Sequence, residues 1–218
     1  MNWTQQIDLY CERTDPGFWA EPLNAASNAA FLLAALYTFV IWRRDGGRDG
    51  ASLYLICNVA VIGVGSFLFH TLASRWSMLA DVLPITALIY AYFGIAMRRF
   101  FGLDWPVVVM TLFLFGAASW GGEVILRPLL GGSAGYAPAL VAMAGVGTLL
   151  AFVSHAAARY LILATAVFAL SLASRMADNP VCASLPIGTH YVWHVLNAVT
   201  LTILILAAIR CREKGQPC

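Results

Sequence analysis

The chain has 218 residues, of which 61% are hydrophobic and 11% charged, and its mean hydropathy is +0.77. Soluble domains carry about 45–50% apolar and about 25% charged residues, so this composition excludes a water-soluble globular enzyme and a disordered chain. The net charge is only +2, and the basic residues cluster only in stretches 43–48 and 210–214, which argues against nucleic acid as a partner.

Residues 1–23 carry Asp8, Glu12, Arg13, Asp15 and Glu21. They lack the apolar stretch of a cleavable signal and read as an acidic extramembrane segment before the first span. A spanning helix needs roughly 20 apolar residues. Seven such segments follow, at residues 24–42, 53–72, 79–97, 105–124, 136–154, 158–174 and 190–209. Lipid offers no partner to an unpaired backbone group, so each segment is predicted to be a helix. The linkers are short and rich in Gly, Pro, Asp and Arg. The expectation is all-α: one integral membrane domain over residues 1–218, with seven spans within 24–209 and a tail at 210–218.

Lys and Arg mark the cytoplasmic side. With the N-terminus outside, Arg43, Arg44, Arg48, Arg98, Arg99, Arg159, Arg210, Arg212 and Lys214 fall inside, against Arg13, Arg75, Arg127 and Arg175 outside. The prediction is an outward N-terminus and a cytoplasmic C-terminus. Of the five cysteines, Cys11 and Cys182 then lie outside, where disulfides persist. A bridge between them and two free thiols are both open at this point. Cys57 lies within a span, and Cys211 and Cys218 lie inside.

Ionisable groups inside spans are costly and mark function. Ser66 and His70 are four apart on the second span, and His190 and His194 are four apart on the seventh, so each pair shares a helix face. Asp81 stands near the start of the third span. The predicted topology brings all five to a similar depth near the outer side. Three imidazoles with an open fourth position describe a catalytic zinc site, although imidazole also suits iron, copper and nickel. Asp81 has the chemistry of a general base and Ser66 that of an oxyanion donor. Each residue alone has a plainer role: Ser66 bonding its own helix backbone, Asp81 capping the third helix, the histidines packing. A proton relay would use the same set. Glu123 and His155, near span ends, have no partner pattern and read as interfacial.

The combination of Ser66-x3-His70, Asp81 eleven residues later and His190-x3-His194 near the C-terminus resembles the alkaline ceramidase family. The same pattern runs through the wider seven-span superfamily that holds the adiponectin-receptor and haemolysin III-like proteins. Tyr10-Cys11-Glu12 and Trp19-x-Glu21-Pro22-x-Asn24-x2-Ser27-Asn28 are similar to the ceramidase branch. The resemblance covers both ends and the second, third and seventh spans. It implies zinc on His70, His190 and His194, Asp81 at the attacking water with Ser66 beside it, and a disulfide between Cys11 and Cys182. It implies hydrolysis of the amide of ceramide, or of another N-acyl lipid, to a sphingoid base or amine and a fatty acid. Some members bind calcium through the acidic segment, and Glu12, Glu21 and Asn24, with Asp8 and Asp15 as substitutes, are the candidate ligands here. Leu9 stands where an acidic residue is expected.

The expected setting is the bacterial inner membrane with the site toward the outer side, a membrane lipid as substrate and no obligatory protein partner. Two competitors use the same residues: a lipid-sensing receptor-like or haemolysin III-like protein without turnover, and a proton-coupled carrier.

Overall fold

A computed structural model of the chain describes residues 2–211, so that Arg212, Lys214 and Cys218 of the expected tail lie outside the described residues. The described residues form eight α-helices: α1 Pro22–Ser27, α2 Ala29–Arg44, α3 Gly50–Leu72, α4 Arg75–Phe100, α5 Trp105–Leu130, α6 Ala137–Phe152, α7 Ala158–Val181 and α8 His190–Arg210. A 3-10 turn over Gly131–Tyr136 joins α5 to α6. Among the described residues there is no strand, only an isolated bridge between Gln6 and Ser74.

Six helical stretches are long and apolar enough to cross a membrane, and one of them, Trp105–Phe152, contains both α5 and α6. Those two helices run in opposite directions. Tyr136, between them, packs its ring 4.9 Å from that of Trp193, whereas His155, just past α6, packs 5.6 Å from Phe100 at the end of α4. Large apolar side chains such as Phe113, Trp120, Ile125, Leu129 and Phe152 face outward. That surface suits lipid, which rewards a helix for closing its own hydrogen bonds and charges nothing for apolar exposure.

Helix α8 is the central element, with Ala198, Ile205, Ala207 and Ala208 almost wholly enclosed. The core around it is apolar, with Phe31, Leu55, Val59 and Leu161 buried. At one end, Arg99 on α4 ties the bundle together, donating to Asp49 at 2.5 and 2.9 Å and to the Ala208 carbonyl at 2.8 Å.

The opposite end holds the histidines. Helix α3 stops at Ala73, which takes a left-handed conformation (φ 43°). Helix α4 starts at once, capped reciprocally by Ser74 and Ser77. The N-terminal segment lies over this turn: the Ile7 amide donates to the Ala73 carbonyl at 2.7 Å and the Arg75 amide to the Gln5 carbonyl at 3.3 Å. The same segment is tied to the α7–α8 loop by the expected Cys11–Cys182 disulfide, with the Cα atoms 5.4 Å apart.

Several boundaries differ from expectation: α4 begins at Arg75 and runs to Phe100, and α5 continues past residue 124 to Leu130. The first segment divides at Asn28 into α1 and α2, with the Asn28 amide side chain donating back to the Asn24 carbonyl at 2.8 Å. Helix α7 continues past residue 174 to Val181, which carries Arg175 and Asp178 onto a helix instead of a loop.

Candidate metal centre

His70 comes from the last turn of α3, and His190 and His194 from the first turns of α8. All three are buried. Their ring centroids are 4.6 to 5.1 Å apart, and one ligand atom from each lies within 4.8 Å of the others. The sequence-predicted trio is thus brought together from two distant stretches of chain.

Each ring is held from behind. The Glu21 carboxylate accepts from His70 Nδ1 at 2.6 Å. The Ser27 hydroxyl donates to the Asn24 carbonyl, so its oxygen is left to accept from His194 Nδ1, 2.7 Å away. These contacts fix both tautomers and leave each Nε2 with a lone pair. His70 Nε2 is buried with no hydrogen-bond partner. An imidazole anchored at one nitrogen by a carboxylate or hydroxyl, with the other bare and facing two more imidazoles, has the donor set of a divalent N-ligand metal.

His190 is placed by different means. Tyr10 stacks on its ring at 3.8 Å. The buried Asp178 carboxylate accepts from the amides of Thr189 at 2.8 Å, His190 at 2.9 Å and Cys11 at 3.0 Å. It thereby caps α8 and fastens the N-terminal segment with one side chain. Gly188, at φ +61°, is required for this: a Cβ there would sit 2.1 Å from Asp178 Oδ1 and 2.8 Å from the Cys11 Cβ.

Asp81 and Ser66 are buried on facing helices and interact with each other; Asp81 Oδ1 has no hydrogen-bond partner. Asp81 also feels the charge of Arg175. Arg175 is enclosed by Tyr10, Tyr136 and Trp193, each ring 5.3 to 5.5 Å from its guanidinium carbon, and donates to the Tyr10 hydroxyl at 3.0 Å. Burial pushes the Tyr10 hydroxyl above its ordinary value, against the opposing pull of Arg175.

The acidic segment is held by its own hydrogen bonds. Glu12 spends both carboxylate oxygens on the amides of Leu23 and Asn24, at 2.7 and 2.8 Å. Glu21 accepts from Arg13 Nε at 2.6 Å on one oxygen, and from His70 and the Asn24 side-chain amide on the other. Burial alone would raise the Glu21 carboxyl, but these bonds hold it below the usual carboxylate range. Asp15 Oδ1 accepts from the Gly17 amide, and Asp8 is exposed. Glu123 pairs with Arg127 at an exposed position, and His155 Nδ1 accepts from the Ala157 amide.

Sequence reasoning missed Arg175 and Asp178 because it ended the span before them; as ionisable groups on a spanning helix they would have stood out. It named Glu21 and Ser27 in a motif without seeing that they back the histidines.

An apolar cavity begins beside these residues. Ile85, one turn after Asp81, and Asn197, one turn after His194, line its near part, and Tyr92, Ala96 and Leu204 line the remainder. From Ile85 to Ala96 it follows α4 for about 16 Å at 1.5 Å per residue.

The architecture is that of a polytopic helical protein with three buried, converging imidazoles at one end and an apolar cavity leading away. Comparison with known families agrees: the chain matches the Ceramidase family over residues 9–217, nearly its whole length, and belongs to it. Family membership makes it a hydrolase of the class acting on amide bonds, with ceramide as the class substrate. No curated protein matches the chain.

Proposed function

We propose that the protein is a zinc-dependent intramembrane amidohydrolase that cleaves ceramide or a closely related N-acyl lipid. The observation that carries this reading is the shared end of the molecule: three anchored histidines, a free carboxylate oxygen on Asp81, and an apolar cavity starting within one helical turn of both. His70, His190 and His194 would hold the metal. When bound, zinc supplies a water acidified to near neutrality and polarises the amide carbonyl.

The remaining steps belong to the chain. Asp81 Oδ1, unpartnered, accepts the proton of the attacking water and returns it to the nitrogen of the departing amine. Ser66, beside Asp81, donates to the oxygen of the tetrahedral intermediate or steadies the carboxylate. Glu21 and Ser27 keep His70 and His194 from rotating away. The fatty-acyl chain lies in the apolar cavity between α4 and α8, where water cannot compete. The opposite courses of α5 and α6 support seven crossings, and the basic residues at the far end support a histidine end facing outward.

Purified protein given ceramide, with released fatty acid measured by mass spectrometry, tests the reading. Release that depends on His70, His190 and His194 is expected. Retained metal with no turnover on any amide lipid would favour a receptor-like protein instead.

A further inference from the structure

The acidic segment already contains a cation, and it is a side chain. Arg13 is buried although it lies in the extramembrane segment. Its guanidinium donates to Glu21 Oε1 at 2.6 Å, to the His70 carbonyl at 3.0 Å, to the Asp15 carbonyl at 3.1 Å and to the Gly17 carbonyl at 3.4 Å. One carboxylate and three backbone carbonyls converging on one positive centre form an oxygen cage of the kind a hard cation collects. Calcium needs six to eight oxygens. The expected ligands cannot provide them: both Glu12 oxygens hold backbone amides, one Glu21 oxygen faces Arg13 and the other holds His70 and Asn24, Asp15 Oδ1 holds the Gly17 amide and Asp8 is exposed, which leaves the buried Asn24 Oδ1 as a single open oxygen among them, far short of that number. The residues present do not fit a calcium ion.

We infer that Arg13 is the resident cation of the N-terminal segment, replacing calcium, and that it acts as a positioning residue for His70. The guanidinium grips His70 twice, directly at its backbone carbonyl and through Glu21 at its imidazole Nδ1. Arg suits the place because its five donors are fixed in a plane and its charge is permanent. One side chain thus orders the 13–21 loop and sets the orientation of a ring in the histidine cluster. The positioning of His70 as a ligand rests on the proposed metal centre; the replacement of calcium does not.

The experiment uses full-length protein in detergent or nanodiscs. Calorimetric titration with calcium, and thermal melting with calcium or with a calcium-selective chelator, should show no binding and no shift in the wild type. Calcium binding with a raised melting temperature would overturn the inference. Arg13→Ala should melt earlier and bind zinc about 10–100-fold more weakly, as loss of an outer-shell partner does. Millimolar guanidinium should restore much of both, and Arg13→Lys should lie in between, because an ammonium cannot span the carboxylate and the carbonyls in one plane. Zinc affinity and melting temperature unchanged in Arg13→Ala would equally overturn it. None of these readouts needs a substrate, so they stand apart from the outcome of the ceramide assay. If Arg13→Ala does not fold, the wild-type calcium titration still decides.

Discussion

Gly65 on α3 meets the Ala80 carbonyl on α4 so closely that a Cβ at Gly65 would stand 2.0 Å from the Ala80 oxygen and 3.2 Å from the Asp81 amide nitrogen. The backbone of α4 therefore rests on the missing side chain, one residue before Ser66 and one residue before Asp81. Gly65→Ala must push the two helices apart at the point where Asp81 faces the histidines. A displacement near an ångström costs about 100-fold in rate. The variant should fold and keep its metal while turnover falls by that order. Steady-state kinetics with metal analysis checks it, and a near-normal rate would show that the spacing does not set the position of Asp81.

Asp81→Asn separates chemistry from metal binding. It keeps the shape and removes the proton acceptor, so metal content should hold while kcat falls about 10²–10⁴-fold. Ser66→Ala should cost less. Turnover of Asp81→Asn near the wild-type value would remove Asp81 as the base, and full activity in Ser66→Ala would reduce Ser66 to helix packing.

The far end of the bundle gives a pH prediction. Burial would raise the Asp49 carboxyl, but its bonds to Arg99 and Ser52 outweigh this and hold it below its ordinary value. A carboxyl whose folded pKa is depressed contributes stability above its unfolded pKa of about 3.9 and loses it as pH falls through the folded value. Asp49→Asn should therefore melt several degrees below the wild type at pH 7. The gap should close as the pH drops below about 4. A gap that is constant across that range would mean the pair contributes nothing through its charge.

Tyr92 lines the apolar cavity with its hydroxyl buried and unpartnered. An unsatisfied buried hydroxyl costs about 1–3 kcal/mol. Tyr92→Phe should keep or raise the melting temperature and keep turnover on lipids with plain acyl chains. A lower melting temperature would show that the hydroxyl is paired in the membrane.

Much of this was legible in the sequence because the costs are large. Apolar stretches of spanning length read as helices because a helix closes its own backbone bonds in lipid, and His70, Asp81, His190 and His194 are conspicuous where polar groups are expensive. The i, i+4 spacing on α8 put His190 and His194 on one face directly. The predicted topology placed Cys11 and Cys182 together on the side where disulfides persist, and the resemblance implied their pairing. What was not legible depends on loops and helix ends. Arg175 and Asp178 sit where hydropathy falls before the helix stops, so composition placed them outside α7. The engagement of Glu21 with Arg13 and His70 depends on how residues 13–21 curl back over α3, and acidic residues in a list look the same whether they await a cation or already hold one. The near-contact at Gly65 is a property of two helices at once, and no single stretch of sequence records it.

The central claim is that His70, His190 and His194 share one divalent ion. The most direct test is elemental analysis of protein purified without chelators, for the wild type and for His70→Ala, His190→Ala and His194→Ala in turn. About one zinc ion per wild-type chain, lost in each variant together with fatty-acid release, is the predicted result, since three ligands are the minimum for such a centre. A wild-type protein that hydrolyses the lipid with no divalent metal bound, or variants that all retain it, would contradict the account.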